Sequence, residues 1–156
     1  DARFASLTTT GRITMGDSGL TDQRTGGKYV YDVAEHITVS EADPADVVVI
    51  SGAADLTLTR STRAFDTKVA GVISEDPKIN LGTASDTKPL ALAGIVRCNA
   101  TTDNGPIKKG DILVSSSEPG YAMRADAKDI TPGMIVGSAL EALPAGRGKI
   151  YILVNQ

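Results

Sequence analysis

The 156-residue chain has no tryptophan, one cysteine, one histidine and only 4% aromatic residues. A single cysteine cannot form an internal disulfide, and one cysteine with one histidine cannot supply the usual ligands of a zinc site. No run of the sequence approaches the roughly 20 apolar residues of a membrane-spanning helix. The formal net charge of −3 indicates no strongly basic face, so we expect neither nucleic acid nor an anionic membrane as a partner.

Threonine is abundant in the chain, beside 16 glycines and 7 prolines. Small and β-branched residues that alternate with turn formers favour short strands over helices. Strands are predicted near residues 29–34, 47–51, 55–60, 68–74, 89–98, 111–116, 120–125, 134–141 and 148–154. Only 122–130 and 138–143 have a weak helical pattern. The sequence therefore predicts an all-β fold, either a compact β-barrel or a sandwich.

An internal repeat is predicted within this all-β region. Residues 46–51 resemble residues 111–116, and residues 69–75 resemble residues 135–141. In each half an aspartate precedes an apolar strand, and a later apolar strand contains one glycine. Because glycine inside a strand is typical of a bulge, a barrel corner or a close backbone approach, the pattern favours a pseudo-twofold β-barrel.

Residues 1–27 differ from the remainder of the chain, and we assign residues 28–156 to the barrel domain. The segment has few bulky apolar residues, and Ile13 and Met15 alternate with Arg12 and Thr14 as in a half-buried strand. It is too polar to bury itself alone, so we expect an extended N-terminal β arm that needs a partner surface. Its candidate anchors are Phe4, Leu7, Ile13 and Met15. Because the chain starts with Asp1, we expect a processed polypeptide or an excised fragment.

The sequence predicts no catalytic residues, metal site or cofactor. His36 lacks a nucleophile in a Gly-x-Ser-x-Gly elbow, and we interpret it as a histidine at a strand end with ordinary hydrogen bonds. Ser115, Ser116 and Ser117 precede Pro119-Gly120, a turn signal in which hydroxyl groups cap backbone groups. Cys98 ends an alternating stretch that includes Leu90, Leu92, Gly94 and Val96, so a buried structural thiol is predicted.

Several segments resemble one known family, a β-rich C-terminal domain at the ends of phage tail-spike or neck-appendage fibres and of secreted bacterial repeat proteins. Some of its members are self-cleaving maturation domains (peptidase G2-like). The resemblance lies in residues 31–35, 47–51, 71–75, 105–123, 134–141 and 148–154, and residues 7–15 resemble the last rungs of a β-helical stalk. No cleavage motif can be matched, and the chain is shorter than the self-cleaving members between Ser74 and Lys88, so no catalytic residue is transferred.

These observations predict a structural protein rather than an enzyme. We expect a subunit or terminal domain of an extracellular filament, pilus-like fibre or phage-type appendage, located outside the cell, at its surface or on a virion. Its partners would be copies of itself, in a filament or trimer, joined through the arm. One alternative is an autoproteolytic maturation domain. Another is a module that binds a cell-surface glycan or protein, with Tyr29, Tyr31 and Tyr121 as candidate stacking residues.

Overall fold

A computed structural model describes the backbone of residues 20–22 and 28–29 and all atoms of residues 30–154. The protein is all-β, with 50% of its residues in strands and 2% helical, which confirms the predicted fold class. The strands are β1 (Leu20–Asp22), β2 (Lys28–Val30), β3 (Asp32–Ser40), β4 (Val47–Ile50), β5 (Thr57–Arg60), β6 (Val69–Val72), β7 (Ile79–Leu81), β8 (Thr87–Thr101), β9 (Ile112–Ser115), β10 (Ala122–Arg124), β11 (Ile135–Ala139) and β12 (Arg147–Val154). A 3-10 turn covers Ala127–Asp129.

Five strands form a closed barrel in the order β8-β10-β9-β11-β12. Strand β12 runs antiparallel to β8 over eight residue pairs, from Arg147↔Thr101 to Val154↔Gly94. The barrel closes where β10 pairs with β8 in parallel at Ala122↔Ala100. Closure leaves these strands without exposed hydrogen-bonding edges at the paired positions.

The remaining strands extend from the other side of β8. Strand β3 runs antiparallel to β8 and is followed in space by β5, β4 and β6. Strand β7 pairs in parallel with the first half of β3, whereas β5 pairs in parallel with its last three residues. The 15-residue strand β8 therefore joins the barrel to the outer strands.

The main core is made of small and β-branched side chains, as the low aromatic content requires. It includes Val47, Val72, Val96, Cys98, Ile107, Leu113, Val136, Ile150 and Ile152. A second cluster, under the outer strands, contains Ala42, Val48, Leu58 and Ile73. Cys98 is fully buried, and burial raises the pKa of its thiol, so the prediction of a structural thiol is confirmed.

The two segments that resemble each other in sequence have corresponding strand orders. In one segment the order is β5-β4-β6, and in the other it is β10-β9-β11. Strand β5 pairs in parallel with β3, as β10 does with β8. Gly71 and Gly137 both lie at irregularities of register, as expected for glycines inside strands. The pseudo-twofold symmetry of the whole barrel stays a prediction.

Several local predictions are corrected by the structure. No strand is predicted between residues 74 and 89, but this segment contains the short strand β7, because three of its residues pair with β3. The predicted strand 29–34 is interrupted at Tyr31, and β3 continues to Ser40. His36 therefore lies inside a strand and not at its end.

The prediction that residues 90–98 alternate regularly, with Leu92 and Cys98 on the same face of β8, is also wrong. Val33 pairs with Ala93 and Ala34 pairs with Ala91, so Leu92 is an extra residue in the ladder. This bulge leaves Leu92 45% exposed, whereas Val96 and Cys98 point into the core. A bulge moves the residues that follow it to the opposite face, which the sequence pattern alone does not show.

The backbone described between residues 20 and 30 forms a two-stranded antiparallel sheet, β1 with β2. The four candidate anchors of the arm, Phe4, Leu7, Ile13 and Met15, lie outside the described residues, and so the predicted arm stays a prediction.

Candidate functional site

The residues considered for catalysis take up ordinary structural roles. In His36, Nδ1 lies 2.8 Å from Oγ1 of Thr87, and Nε2 lies 3.0 Å from Nδ2 of Asn80. The hydroxyl of Ser116 accepts from the backbone N–H of Glu118 and donates to its carbonyl oxygen, which closes the turn before Gly120. These contacts confirm the interpretation of His36 as an ordinary hydrogen-bonded histidine and of Ser116 as a turn former. Ser115 instead ends β9, and its hydroxyl accepts from the backbone N–H of Asp66 at 2.9 Å.

The structure does not bring the candidate stacking tyrosines together. The carbonyl of Tyr31 accepts from the backbone N–H of Ile95, and Tyr121 precedes Ala122, which pairs with Ala100. Ile95 and Ala100 are separated by about 17 Å along β8. The side chain of Tyr29 lies outside the described residues.

One face of the Tyr121 ring is already occupied. The guanidinium of Arg147 lies 5.9 Å from the ring centroid, within cation–π range, and it donates to Glu118 at 2.7 Å. Tyr31, which is 41% exposed, is the more accessible of the two candidate tyrosines whose side chains the structure describes.

An edge with exposed apolar side chains lies along β7. Within the described part of the chain, β7 pairs with β3 alone, so the other side of β7 carries no strand there. Ile79 is 38% exposed and Leu81 is 49% exposed. Because they are two residues apart, both side chains leave the same face of the strand.

A polar cleft lies where β3 begins, beside the middle of β8. Its walls are Val30, Asp32, Ser74, Glu75, Asp76, Ile95, Val96, Arg97 and Tyr151, and its volume is about 40 Å³. Strand β8 contributes Ile95, Val96 and Arg97, and residues 74–76 come from the loop after β6. This arrangement depends on pairing between distant parts of the sequence, and Asp32 had no assigned role in the sequence pattern.

The carboxyl group of Asp32 has a raised pKa. Desolvation raises its pKa, and the charge of Asp76 acts in the same direction, while a hydrogen bond from Ser74 opposes them. The residue is only 7% exposed, and its Oδ2 has no hydrogen-bond partner. A buried carboxyl with a shifted pKa in a cleft is typical of a functional site.

Glu75 of the cleft forms ion pairs with two basic side chains, Arg97 of the cleft and Lys149. Nη1 of Arg97 lies 3.5 Å from Oε2 of Glu75, and Nζ of Lys149 pairs with Oε1 of the same carboxylate. Nε of Arg97 is buried without a hydrogen-bond partner. Two residues of the cleft, Asp32 on β3 and Arg97 on β8, thus each have one buried polar atom without a hydrogen-bond partner.

Among residues 20–22 and 28–154, no group of three or more histidine, cysteine or acidic side chains is placed to hold a metal ion. None of the helices found in that same part of the chain has the length and apolar character needed to cross a membrane.

No protein-family model matches the chain, and none of the curated proteins matches it.

Proposed function

We propose that this chain is a structural subunit or terminal domain of an extracellular filament, pilus-like fibre or phage-type appendage. Assembly occurs when the N-terminal arm of one copy adds a strand to the outer side of β7 in a neighbouring copy. The observation that supports this proposal is the edge of β7, which carries two exposed apolar side chains and pairs on one side within the described residues. Such an edge is a template for strand addition.

The apolar side chains of the β7 edge have the same spacing as those of the arm. Ile79 and Leu81 project from one face of β7, and in the arm Ile13 and Met15 have the same spacing of two residues. If the arm lies beside β7, these four apolar residues form cross-strand pairs, each of which contributes about 0.2–1 kcal/mol. Main-chain hydrogen bonds then supply affinity, and the side-chain pairs set the register.

The geometry of the contact decides the form of the assembly. A donated arm is a head-to-tail contact, because the donating and accepting surfaces are different. If the rotation between neighbouring copies brings the last copy back to the first, the product is a ring or trimer. If it does not, copies continue to add and the product is a filament. In either case the closed barrel serves as a rigid body between the donating and accepting strands.

Deletion of residues 1–16 tests the donating side. The shortened chain retains β1 to β12, so we expect it to fold with the circular dichroism spectrum of the full chain but to remain monomeric. Light scattering across a dilution series, paired with negative-stain electron microscopy, measures the change. Assembly that is unchanged by the deletion would contradict the proposal.

Leu81→Lys tests the accepting side. A charge on the exposed face of an edge strand opposes the approach of another strand, so we expect assembly to weaken by about 10-fold to 100-fold. Leu153→Lys is the matched control. Leu153 is 39% exposed, but it lies on β12 between β8 and β11, where no strand can be added. Equal weakening by the two variants would show that β7 is not the acceptor.

A further inference from the structure

One asparagine of the chain is followed by glycine, and this pair, Asn104 and Gly105, lies in the turn between β8 and β9. In such a pair the backbone nitrogen of the glycine can attack the amide carbon of the asparagine side chain, because glycine has no Cβ to obstruct the approach. The other asparagines, Asn80, Asn99 and Asn155, precede residues that have a Cβ. The covalent structure therefore makes Asn104 the asparagine most prone to lose its amide.

The turn between β8 and β9 requires this glycine. Gly105 has φ +94°, where a residue with a Cβ is strained. The residue that makes Asn104 reactive therefore cannot be exchanged for a larger one without strain in the connection between these two strands.

Three hydrogen bonds in the folded protein engage the groups that would have to react. The backbone N–H of Gly105 donates to the carbonyl oxygen of Thr102 at 2.9 Å. Nδ2 of Asn104 donates to the backbone carbonyl of Arg124 at 3.0 Å, and Nη1 of Arg124 donates to the backbone carbonyl of Asn104 at 3.2 Å. The attacking nitrogen and the leaving amide are therefore both bonded elsewhere, and two of the three bonds join the turn to Arg124, the last residue of β10.

We propose that Asn104 is a deamidation site that the folded protein keeps closed and that opens when this turn separates from β10. In the open turn the backbone nitrogen of Gly105 forms a bond to Cγ of Asn104, and the side-chain amide leaves as ammonia with the proton that Gly105 gives up. Water then opens the resulting succinimide ring at either of its carbonyl groups, which yields aspartate or isoaspartate. The net reaction consumes water and releases ammonia, and it needs no other reactant.

The products of this reaction cannot restore the native turn. An ionised carboxylate accepts hydrogen bonds and does not donate them, so the bond to the carbonyl of Arg124 is lost. Isoaspartate also lengthens the backbone by one carbon, which moves Gly105 relative to Thr102. The modification therefore marks chains whose turn has opened. This inference goes beyond assembly through β7, since neither the arm nor β7 takes part in it.

Incubation of the full chain at mildly alkaline pH tests the site, because base removes the proton of the attacking nitrogen. Folded protein is compared with protein unfolded in guanidinium chloride at the same pH and temperature, and the peptides are mapped by mass spectrometry. Asn104 should deamidate in the unfolded chain, and at least about 100-fold more slowly in the folded protein, because only the open turn reacts. Asn80 and Asn99 are internal controls, and in the unfolded chain they should react far more slowly than Asn104.

Two results of this incubation would overturn the proposal. If Asn104 deamidates at equal rates in the folded and unfolded chains, the bonds to Thr102 and Arg124 do not close the site. If Asn104 in the unfolded chain reacts no faster than Asn80 and Asn99, it is not a modification site. Because both comparisons use the unmodified sequence, neither depends on the folding of a variant.

Arg124→Lys tests whether the contact with β10 closes the turn. The substitution keeps the positive charge but removes Nη1, which donates to the carbonyl of Asn104, so the rate in the folded protein should rise by about 10-fold. The rate in the unfolded chain should not change. Arg60→Lys is the matched control, because Arg60 lies on β5 and its Nη1 faces Asp46 at 4.0 Å, outside this turn. An unchanged folded-state rate in Arg124→Lys, or an equal rise in the control, would overturn the role of Arg124.

Discussion

At the scale of single residues, Asp46 and Gly120 form a tight contact between the start of β4 and the turn before β10. Asp46 is 5% exposed; its Oδ1 accepts from Nδ2 of Asn99 at 2.8 Å, and its Oδ2 accepts from the backbone N–H of Asp43 at 2.9 Å. Gly120 has φ +79°, and a Cβ there would lie 2.4 Å from Oδ1 of Asp46. The turn before β10 therefore fits only a residue without a side chain.

Gly120→Ala is expected to destabilise the protein by roughly 2–4 kcal/mol, from left-handed strain together with the clash at Asp46. Gly146→Ala is the matched control, because Gly146 has φ +78° and no heavy atom within 4 Å of an added Cβ. The control should cost about 1–2 kcal/mol, which is the strain alone. Urea unfolding followed by circular dichroism measures both values, and equal costs would show that Asp46 moves away without penalty.

The buried carboxyl of Asp32 should make stability depend on pH. Because burial raises its pKa in the folded protein above the ordinary value of 3.8, the folded state binds this proton more tightly than the unfolded chain does. The unfavourable contribution of Asp32 is thus absent below pH 3.8 and grows as the pH rises through the folded-state pKa. Asp32→Asn cannot ionise, so the free energy of unfolding of this variant should rise relative to the wild type between acidic and neutral pH.

Urea unfolding of the wild type and Asp32→Asn across this pH range measures the difference. A constant difference would show that water reaches the Asp32 carboxylate and removes the cost of burial. A difference that falls as the pH rises would mean that the folded state stabilises the ionised form.

At the scale of elements, the turns that lead into β4 and β9 have the same hydrogen bonds. Oδ2 of Asp46 accepts from the N–H three residues earlier, and Oδ2 of Asp111 accepts from the N–H of Lys108 at 2.8 Å. The carbonyls of Asp46 and Asp111 accept from the N–H groups of Ile73 and Ala139, at 3.0 and 2.9 Å. These equivalent contacts explain why an aspartate begins each apolar segment.

The two turns should nevertheless respond unequally to substitution. Asp111→Ala removes one backbone cap at a partly exposed site and should cost about 1 kcal/mol. Asp46→Ala also leaves the partly buried amide of Asn99 without this acceptor, so it should cost about 3 kcal/mol. Chemical denaturation of the two variants measures the difference, and equal costs would contradict a central role for Asp46.

The strands that the sequence predicts are those with continuous apolar or alternating patterns. Strands β4, β6, β9, β11 and β12 lie within their predicted ranges to one residue, since local β propensity and burial agree there. Strand β7 was missed because Pro77 and Gly82 flank it and only pairing with β3 makes it a strand. The exposed side chain of Leu92 was missed for a similar reason, because a bulge depends on the register of the neighbouring strand.

At the scale of the whole molecule, the sequence predicts the barrel but not its cleft. Many short strands of small and β-branched residues predict a barrel or a sandwich, and the structure has the barrel. The cleft depends on Asp32, Arg97 and the loop at Ser74, which are separated by 20 residues or more and meet through pairing of β3 with β8. Hydropathy alone treats Asp32 and Arg97 as ordinary polar residues of strands, so the burial of the Asp32 carboxyl and of Nε of Arg97 cannot be read from the pattern.

The proposed assembly also belongs to this scale, because it joins the arm of one copy to β7 of another. The donating arm and the accepting edge of β7 can each be labelled with a cysteine in a different variant. Met15→Cys marks the arm, and Leu81→Cys marks the edge of β7. The native Cys98 is fully buried, so it is not accessible to a thiol cross-linker in the folded protein.

The most direct measurement is cross-linking in a mixture of these two variants, each of which carries one introduced cysteine, read by mass spectrometry. Any link between positions 15 and 81 must join two copies, because no chain in the mixture carries both cysteines. The proposal predicts this link, and it predicts far less of it when Leu153→Cys replaces Leu81→Cys. If the link forms only within a chain that carries both cysteines, and never in the mixture, the arm folds onto its own barrel and assembly by strand donation is wrong.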